Sequence, residues 1–424
     1  MKNQILKNKE VLGGITTFLT MSYIVIVNPS ILATEGTGMP FSGVLTATVL
    51  TCFVSTLLMG LYAKLPYGVA PGMGINAFFT YSLVLGQQIP WPTALAMVFW
   101  SGVVFLTLSI TPARAAIVKS MPRNIRYGAA VGIGVFLTFI GLKNAGIVVS
   151  HPATFVSFGD VNLQTLFFAI GTATILFLIS RKSPFAFLVG IAVVTLISIA
   201  TGQVSLPENF VSSPDFHSVF FKLDFMGALT VSSIAPILAI MFTDLLDSIS
   251  TFVGLSQSSG LIDKDGEPKN LKEGLVVDAV ATAVAGLFGS SSGTTYIESA
   301  AGIETGARSG KSAIVTAFLF LPCLFFAPIV GIVPAIATAP VLVVVGFLMF
   351  HSVKEISFSN VEEGVPAFLT ILLIPLTFSI TEGLLWGLVS YVALHIIMGK
   401  FSKISKSLLA VSSICLVMLI LRLK

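Results

Sequence analysis

Apolar stretches long enough to span a membrane recur along the whole chain, and they limit the folds open to it. A helix needs roughly 20 mostly apolar residues to cross the hydrocarbon core. Such stretches lie near residues 11–33, 43–63, 93–111, 125–147, 163–180, 184–201, 231–256, 272–288, 312–333, 336–351, 364–380 and 382–399. Only 10% of the 424 residues are charged, far fewer than in soluble domains. We therefore predict an all-α, polytopic membrane protein with a single membrane domain over residues 1–424.

Two further apolar segments, 66–88 and 289–307, are interrupted by proline and glycine. The interruptions are Pro66, Pro71, Gly72 and Gly74 in the first segment and Gly289, Gly293, Gly302 and Gly306 in the second. Each segment has the pattern of a short extended piece followed by a half-helix. Unwound backbone is tolerated at membrane depth only where it lines a cavity, and in transporters that cavity holds the substrate. These two broken segments therefore predict a substrate site.

Lysine and arginine indicate the topology, because they accumulate on the cytoplasmic side of a membrane. With a cytoplasmic N-terminus and both broken segments crossing, 19 of the 23 Lys and Arg residues are cytoplasmic. Lys143 and Lys222 fall outside, and the remaining two follow a last apolar stretch at 408–421, which is either an extra span or an interfacial helix. The distribution predicts fourteen crossings, with the broken segments as the third and the tenth.

Fourteen crossings broken at these positions divide into two halves of seven. Because seven is odd, the halves have opposite orientations in the membrane, which is the pattern of an inverted repeat. We expect the first repeat to cover about 11–202 and the second about 231–400, with 408–421 following as a separate C-terminal segment.

Four carboxylates fall inside apolar segments, where a charged side chain at the helix centre costs roughly 3 kcal/mol. Asp244 and Asp247 lie three positions apart on one face of the span 231–256, Asp278 lies in the next helix, and Glu298 lies in the second broken segment. One interpretation is that one acid accepts hydrogen bonds from a polar, uncharged ligand while another carries a proton. The alternative is that the acids pair with polar neighbours and hold the helices together.

Both broken segments place free backbone N–H groups at the start of a half-helix, where they can bind a ligand. In the second segment we expect Thr294 and Thr295 to contact the ligand. In the first, Phe79 can stack on a planar ring or pack in the core, and the sequence leaves both readings open.

Other functional classes have weak signals. The glycines at 72 and 74 lack the strand–turn–helix context of a dinucleotide loop, and Gly-Lys-Ser at 310–312 lacks the upstream glycine of a phosphate loop. The three Cys have no paired spacing, and the four His have no metal-ligand spacing. We expect no enzymatic activity, no cofactor, no metal site and no nucleic-acid partner.

Three motifs together carry a family resemblance. They are APGMGINAFF at 70–79, FTDLLDS at 242–248, and TTYIES at 294–299 with GARSG at 306–310. The chain resembles the nucleobase:cation symporter-2 family, in particular its azaguanine-type purine permeases, and the similarity covers essentially its whole length. Ser248 and the serines at 290–292 stand where relatives often carry threonine, so the preferred purine stays open.

The resemblance implies a fold of seven plus seven inverted repeats, divided into a core domain and a gate domain with the purine between them. It also implies that Asn76, Asp244 and Glu298 are purine-contacting or transport-essential positions. Asp247, with Asp278 in the ninth span, would couple transport to a proton. Members of the family are proton symporters and often homodimers.

We therefore predict a multi-pass, proton-coupled symporter in the cytoplasmic (inner) membrane of a bacterium, importing hypoxanthine and guanine, with adenine a further candidate. One alternative is an anion transporter of the same architecture, with sulfate or bicarbonate held by half-helix dipoles. Asp244 and Glu298 disfavour it, because a site for anions favours positive or neutral side chains. A more distant alternative is an ion channel, for which the sequence shows no filter repeat.

Overall fold

The structure, a computed structural model, describes residues 2–111, 122–262 and 268–405, together with 408–409, 412–413 and 415–416. The predicted C-terminal segment 408–421 therefore lies largely outside the described residues.

The N-terminal half is built mainly from helices, with three short strands. The helices are α1 (Lys2–Met21), α2 (Ile24–Leu32), α3 (Phe41–Leu58), α4 (Met73–Ala77), α5 (Trp91–Ile110), α6 (Arg123–Asn144), α7 (Leu163–Ser180) and α8 (Ala186–Ala200). The strands are β1 (Val69–Ala70), β2 (Val148–His151) and β3 (Phe155–Phe158). Wider π-helical turns continue α3 over Met59–Ala63 and α4 over Phe78–Gly86.

The C-terminal half has the same character, with one strand. Its helices are α9 (Val231–Ser259), α10 (Leu271–Phe288), α11 (Ser299–Glu304), α12 (Gly310–Phe320), α13 (Ala327–Gly331), α14 (Ala335–Phe350), α15 (Val361–Thr377) and α16 (Ile380–Ile397). The strand is β4 (Thr294–Thr295). Short 3-10 helices cover Leu321–Phe325, His351–Glu355 and Phe401–Lys403.

Within the described residues, 8 helices are long and apolar enough to cross a membrane. They are Lys9–Leu32, Phe41–Ala63, Trp91–Ile110, Arg123–Asn144, Leu163–Ser180, Val231–Ser259, Ala335–Glu355 and Ile380–Ile397. Shorter apolar helices lie at Met73–Gly86, Ala186–Ala200 and Gly310–Phe325. The mostly helical, polytopic fold is confirmed, whereas the count of fourteen crossings stays a prediction.

The two broken segments contain the short extended pieces and following helices that their sequences predict. β1 precedes α4, and β4 precedes α11. The two strands pair with each other in an antiparallel register, Val69 opposite Thr295 and Ala70 opposite Thr294. Before β4, α10 is followed by Gly289, whose φ of +102° is a left-handed conformation that favours glycine. The chain can therefore leave the helix and turn into the strand within a few residues.

An antiparallel hairpin between α6 and α7 was not predicted from the sequence. β2 and β3 pair from Val148 opposite Phe158 to His151 opposite Phe155. His151 Nδ1 accepts the backbone N–H groups of Ala153 and Thr154 at 3.3 and 3.2 Å, which stabilises the turn. The hairpin is short and largely exposed, so its residues lack the alternating pattern that marks a half-buried strand.

The connection between α8 and α9 is tied to α3 through Asp215. Its carboxylate accepts the hydroxyls of Ser42 and Ser218 at 2.9 and 2.5 Å and the backbone N–H of His217 at 3.0 Å. Desolvation raises the pKa of Asp215, but these donors outweigh it and lower the pKa to about 2. The carboxylate therefore stays charged and keeps this connection on the end of α3.

Helices α6 and α14 cross at glycine. A Cβ placed on Gly346 would lie 2.3 Å from the carbonyl oxygen of Gly134 and 2.2 Å from Thr138 Oγ1. Glycine at such a crossing lets two backbones approach more closely than side chains permit. The contact between these helices therefore depends on the absence of a side chain at Gly346.

Candidate substrate site at the paired broken segments

Side-chain hydroxyls satisfy the backbone of the first broken segment. Thr56 Oγ1 accepts the N–H of Val69 and donates to its carbonyl oxygen, both at 2.9 Å. Ser299 accepts the N–H of Gly68, and Ser292 accepts that of Gly72, each at 3.0 Å. An unsatisfied backbone group at membrane depth costs several kcal/mol. Serine and threonine thus replace the hydrogen bonds that a continuous helix would have supplied.

Asp278 of α10 performs the same task for the second broken segment. The Thr295 hydroxyl donates to its Oδ1 at 2.8 Å, and the Thr295 N–H donates to its Oδ2 at 3.2 Å. Asp278 and Thr295 are both buried. These contacts fix the free edge of β4 on α10.

Asp244 of α9 is joined to the second broken segment through Thr282. The Thr282 hydroxyl donates to Asp244 Oδ2 and accepts the N–H of Gly293 at 3.2 Å. Asp244 is fully buried, and its Oδ1 has no hydrogen-bond partner among the described residues. A buried acceptor without a partner costs free energy, so this atom is a candidate for a transient ligand or proton.

Asn76 of α4 has a similar unused group. The Ser291 hydroxyl donates to its Oδ1, which fixes the orientation of the amide. Its Nδ2 has no partner in the described part of the chain, although the residue is fully buried. The broken segments therefore hold one unused donor and, at Asp244, one unused acceptor.

Glu298 lies just before α11 and faces the N-terminal helices. The Tyr23 hydroxyl donates to Glu298 Oε1 at 2.7 Å. The ring of Tyr23 in turn packs against that of Phe187, with centroids 4.7 Å apart. The sequence motif did not indicate Tyr23, because the tyrosine is some 275 positions away.

A cavity of about 140 Å³ lies beside the paired strands, between α4, α6, α9 and the ends of α14 and α16. Its walls are formed by Gly72, Gly74, Ile75, Arg126, Tyr127, Ala129, Ala130, Ile133, Thr243, Leu246, Asp247, Ser250, Met349, Ser352 and Leu384. Asp247 is exposed within it, whereas Asp244 one turn away is buried. Among these residues Asp247 is the one acid and Arg126 the one base.

The structure separates the predicted site residues into two groups. Asp247 lines the cavity. Asn76, Asp244, Asp278, Thr294, Thr295, Phe79 and Glu298 do not line it. Phe79 is fully buried. The roles of all these residues in binding or coupling stay predictions.

Asp247, which lines the cavity, interacts through its charge with acids that do not line it. The carboxyl group of Asp247 interacts electrostatically with those of Asp244, Asp278 and Glu298. A change in charge at the cavity wall is therefore felt by the buried acids behind it.

The sequence interpretation missed the contribution of α6 to the cavity. Arg126 and Tyr127 lie near its start, and Arg126 was counted only as a marker of topology. Residues 126, 130 and 133 have helical spacing and share one face, which is the signal that could have identified this wall. At the other end of α6, Lys143 has its Nζ 5.7 Å from the ring centroid of Tyr81, a cation–π contact.

We predict that Thr282→Val destabilises the protein by about 1–3 kcal/mol, since it leaves Asp244 Oδ2 and the N–H of Gly293 buried and unpaired. Valine has nearly the same shape as threonine, so packing is preserved. Thr282→Ser is the matched control, because it keeps the hydroxyl and loses only a methyl group. Thermal unfolding in detergent measures both variants, and a valine variant as stable as the serine variant would contradict this role of Thr282.

Recurring apolar helices, unwound backbone at membrane depth and buried acids next to a small cavity define a membrane transporter. The chain belongs to the Permease family, whose sequence model matches residues 8–386, and this is the nucleobase:cation symporter-2 family that its motifs predict. It is accordingly a permease and not an enzyme.

Curated relatives are similar over nearly their full length. The chain is 37% identical to the adenine permease AdeP of Escherichia coli, covering 95% of this chain and 90% of that one. It is 36% identical to the guanine/hypoxanthine permease PbuO of Bacillus subtilis, covering 93% of both. The two relatives are thus about equally similar to this chain, although their names give different purines.

Solved structures support the fold. The transmembrane domain of the cyanobacterial bicarbonate transporter BicA matches with a TM-score of 0.61 and 17% identity, over 90% of this chain and 97% of that domain. At this level of identity the likeness concerns the fold alone.

Proposed function

We propose that this permease imports purine nucleobases together with protons across the cytoplasmic membrane. Membership of the nucleobase:cation symporter-2 family supports the substrate class, as do the names of the adenine and guanine/hypoxanthine permeases that the chain resembles. The observation that carries the proposal is Asp247. Its carboxyl group is exposed in a small cavity beside the paired broken segments.

The cavity offers the groups that a neutral heterocycle requires. Purine bases carry both N–H donors and ring-nitrogen acceptors, so a site needs donors and acceptors together. Asp247 supplies an acceptor, and Ser250 and Thr243 supply hydroxyls. The Thr243 hydroxyl has no partner within the described residues. The buried amide of Asn76 and carboxyl of Asp244 hold further unused groups, in keeping with their predicted role in purine transport.

We assign the proton to Asp247 in preference to Asp278. Asp247 is exposed to the cavity and accepts no hydrogen bond from any described residue, so it can exchange a proton with cavity water. Asp278 is buried, and its oxygens are used by Thr295. Because Asp247 interacts with Glu298 and Asp244, neutralising it lowers the charge of the whole carboxyl cluster. The change in charge links protonation of Asp247 to movement of the helices and segments that carry the other carboxyl groups.

The fourteen-crossing inverted repeat belongs to the same proposal. Both broken segments run strand first and helix second, and their strands are antiparallel. Two equivalent segments that pair in opposite directions are what an inverted repeat requires. The cytoplasmic N-terminus follows from the distribution of Lys and Arg, and the inner-membrane location and the homodimer follow from the family resemblance.

An anion transporter is the second candidate, and one observation favours it. Arg126 lines the cavity and brings a positive charge that could attract bicarbonate or sulfate. The fold neighbour BicA is a bicarbonate transporter, but its likeness concerns the fold alone. Asp247 lies in the same cavity, and three further acids nearby interact with it or with each other. This group of acids disfavours a negatively charged substrate.

Uptake measurements test the proposal directly. Radiolabelled hypoxanthine, guanine, adenine and uracil are given to cells that lack their own purine permeases and express this chain, at several external pH values. We expect uptake of purine that rises as the external pH falls and is lost with an uncoupler. Labelled sulfate and bicarbonate serve as the comparison. Absence of uptake for every purine, or uptake that an uncoupler leaves unchanged, would refute the proposal.

A further inference from the structure

Two charged side chains of opposite sign lie in the cavity without being paired. Asp247 comes from α9 and Arg126 from α6, so they approach from different helices. No ion pair or hydrogen bond joins the side chain of either residue to another described residue. Opposite charges in a confined space attract each other strongly, and two that line one cavity without pairing are both available to a molecule bound there.

Arg123, one turn earlier in α6, is an arginine with a structural role and serves as a comparison for Arg126. Its Nη2 contacts Glu355 Oε2 at 2.5 Å, and its side chain is 63% exposed. Both arginines lie 5.5 Å from the ring centroid of Tyr127. They differ in that Arg126 faces the cavity and lacks a carboxylate partner in the described chain. The guanidinium donors of Arg126 are therefore available to a ligand.

A ligand that bonds to both side chains must present acceptors to Arg126 and a donor to Asp247. Guanine carries two acceptors, O6 and N7, on one edge, and Arg binds this pair through two parallel hydrogen bonds. Hypoxanthine has the same two atoms, and both bases carry an N1–H beside O6. Adenine instead has an amino donor at C6 and an unprotonated N1. On the same edge, adenine therefore offers Arg one acceptor, N7, and beside it the N6 amino group, which is a donor.

We propose that Arg126 recognises the O6 and N7 atoms of an oxopurine while Asp247 accepts its N1–H, so that the permease prefers hypoxanthine and guanine to adenine. This inference rests on the proposed purine transport and specifies its substrate. It assigns Arg126 as a residue that determines specificity.

The contact with Asp247 is compatible with a proton on that residue. A carboxyl group keeps an oxygen that can accept a hydrogen bond whether it is ionised or protonated. One oxygen of Asp247 can therefore accept N1–H while the other gains or loses the proton.

Substitution of Arg126 tests the inference, with Arg123 as the matched control. Glutamine pairs with N6 and N7 of adenine in the way that arginine pairs with O6 and N7 of guanine. We expect Arg126→Gln to reduce the preference for hypoxanthine over adenine by roughly 10- to 100-fold, the range that one bidentate pair contributes. Arg123→Gln removes the same charge from the same helix, and we expect it to leave the preference unchanged. Competition against labelled hypoxanthine measures the ratio in both.

Base analogues provide a second measurement that needs no variant. 7-Deazahypoxanthine lacks the N7 acceptor, so we expect it to compete roughly 10-fold less well than hypoxanthine in the native protein, and we expect a smaller difference in Arg126→Gln, whose amide cannot donate to O6 and N7 in parallel as a guanidinium does. If the native protein transports no purine, the proposed function fails. If it transports purines but prefers adenine, or if Arg126→Gln and Arg123→Gln give the same ratio, purine transport stands and the role of Arg126 is refuted.

Discussion

Asp247→Asn is expected to abolish proton-driven accumulation of purine while leaving exchange of purine across the membrane intact. Asparagine has the size of aspartate and keeps a carbonyl oxygen that can accept N1–H, but it cannot carry a proton. The cavity therefore still binds the base, whereas the cycle no longer responds to a proton gradient. Accumulation should fall to the level of cells without the permease, and its rise at acidic external pH should disappear.

Two measurements distinguish this effect from simple damage. Counterflow, in which cells or vesicles loaded with unlabelled hypoxanthine take up labelled hypoxanthine, should persist in Asp247→Asn because it needs substrate binding and its exchange across the membrane but no net proton movement. Glu208→Gln removes a carboxylate from an exposed position in the connection between α8 and α9 and should behave as the native protein. If Asp247→Asn still accumulates purine in response to pH, another acid carries the proton, and Glu298 and Asp278 are the next to examine.

Gly346→Ala is expected to lower the stability of the permease by about 1–3 kcal/mol, the usual cost of forcing extra atoms into a packed interface. Its new methyl group would overlap the carbonyl oxygen of Gly134 and the hydroxyl of Thr138, so α6 and α14 must separate. Backbone atoms cannot move aside as the end of a flexible side chain can. Thermal unfolding in detergent should show a lower midpoint.

Gly254→Ala is the matched control for this substitution. Gly254 also lies inside a long helix, α9, but a Cβ there would meet only Ile297 Cδ1 at 3.4 Å, an ordinary contact. Replacing helical glycine by alanine gains up to about 1 kcal/mol from helix propensity, and both variants share this gain. The difference between their unfolding midpoints therefore measures the cost of the added methyl group at the crossing of α6 and α14. Equal midpoints for the two variants would show that α6 and α14 do not depend on the glycine contact.

The sequence was sufficient to locate the broken segments because proline and glycine act locally. Pro66, Pro71 and Gly72 prevent a regular helix wherever the rest of the chain lies, and the extended pieces predicted there are present. The pairing of β1 with β4 is different in kind. Two residues of strand carry no sequence pattern that selects a partner, so only the assembled helices determine which segments meet.

The site was predictable in its composition and not in its arrangement. Acids within apolar segments are unfavourable in a membrane, so Asp244, Asp247, Asp278 and Glu298 were identifiable one by one. Which of them faces a cavity depends on the packing of α9 against α6, which the chain's local pattern does not specify. The place of Arg126 in the cavity was equally hard to predict, because membrane topology already explains a basic residue at the end of a span. Its lack of an ion-pair partner is visible only in three dimensions.

The antiparallel pairing of β1 and β4 also has a consequence for the order in which the protein is made. Val69 emerges from the ribosome long before Thr295, yet the two belong to one pair of strands. Until the second strand arrives, the first has only Thr56, from its own neighbourhood, to satisfy its backbone. The first half of the chain therefore enters the membrane with an incomplete element. The pair of strands can form only after residue 295 has been made, so a chain truncated before that point lacks this part of the candidate site.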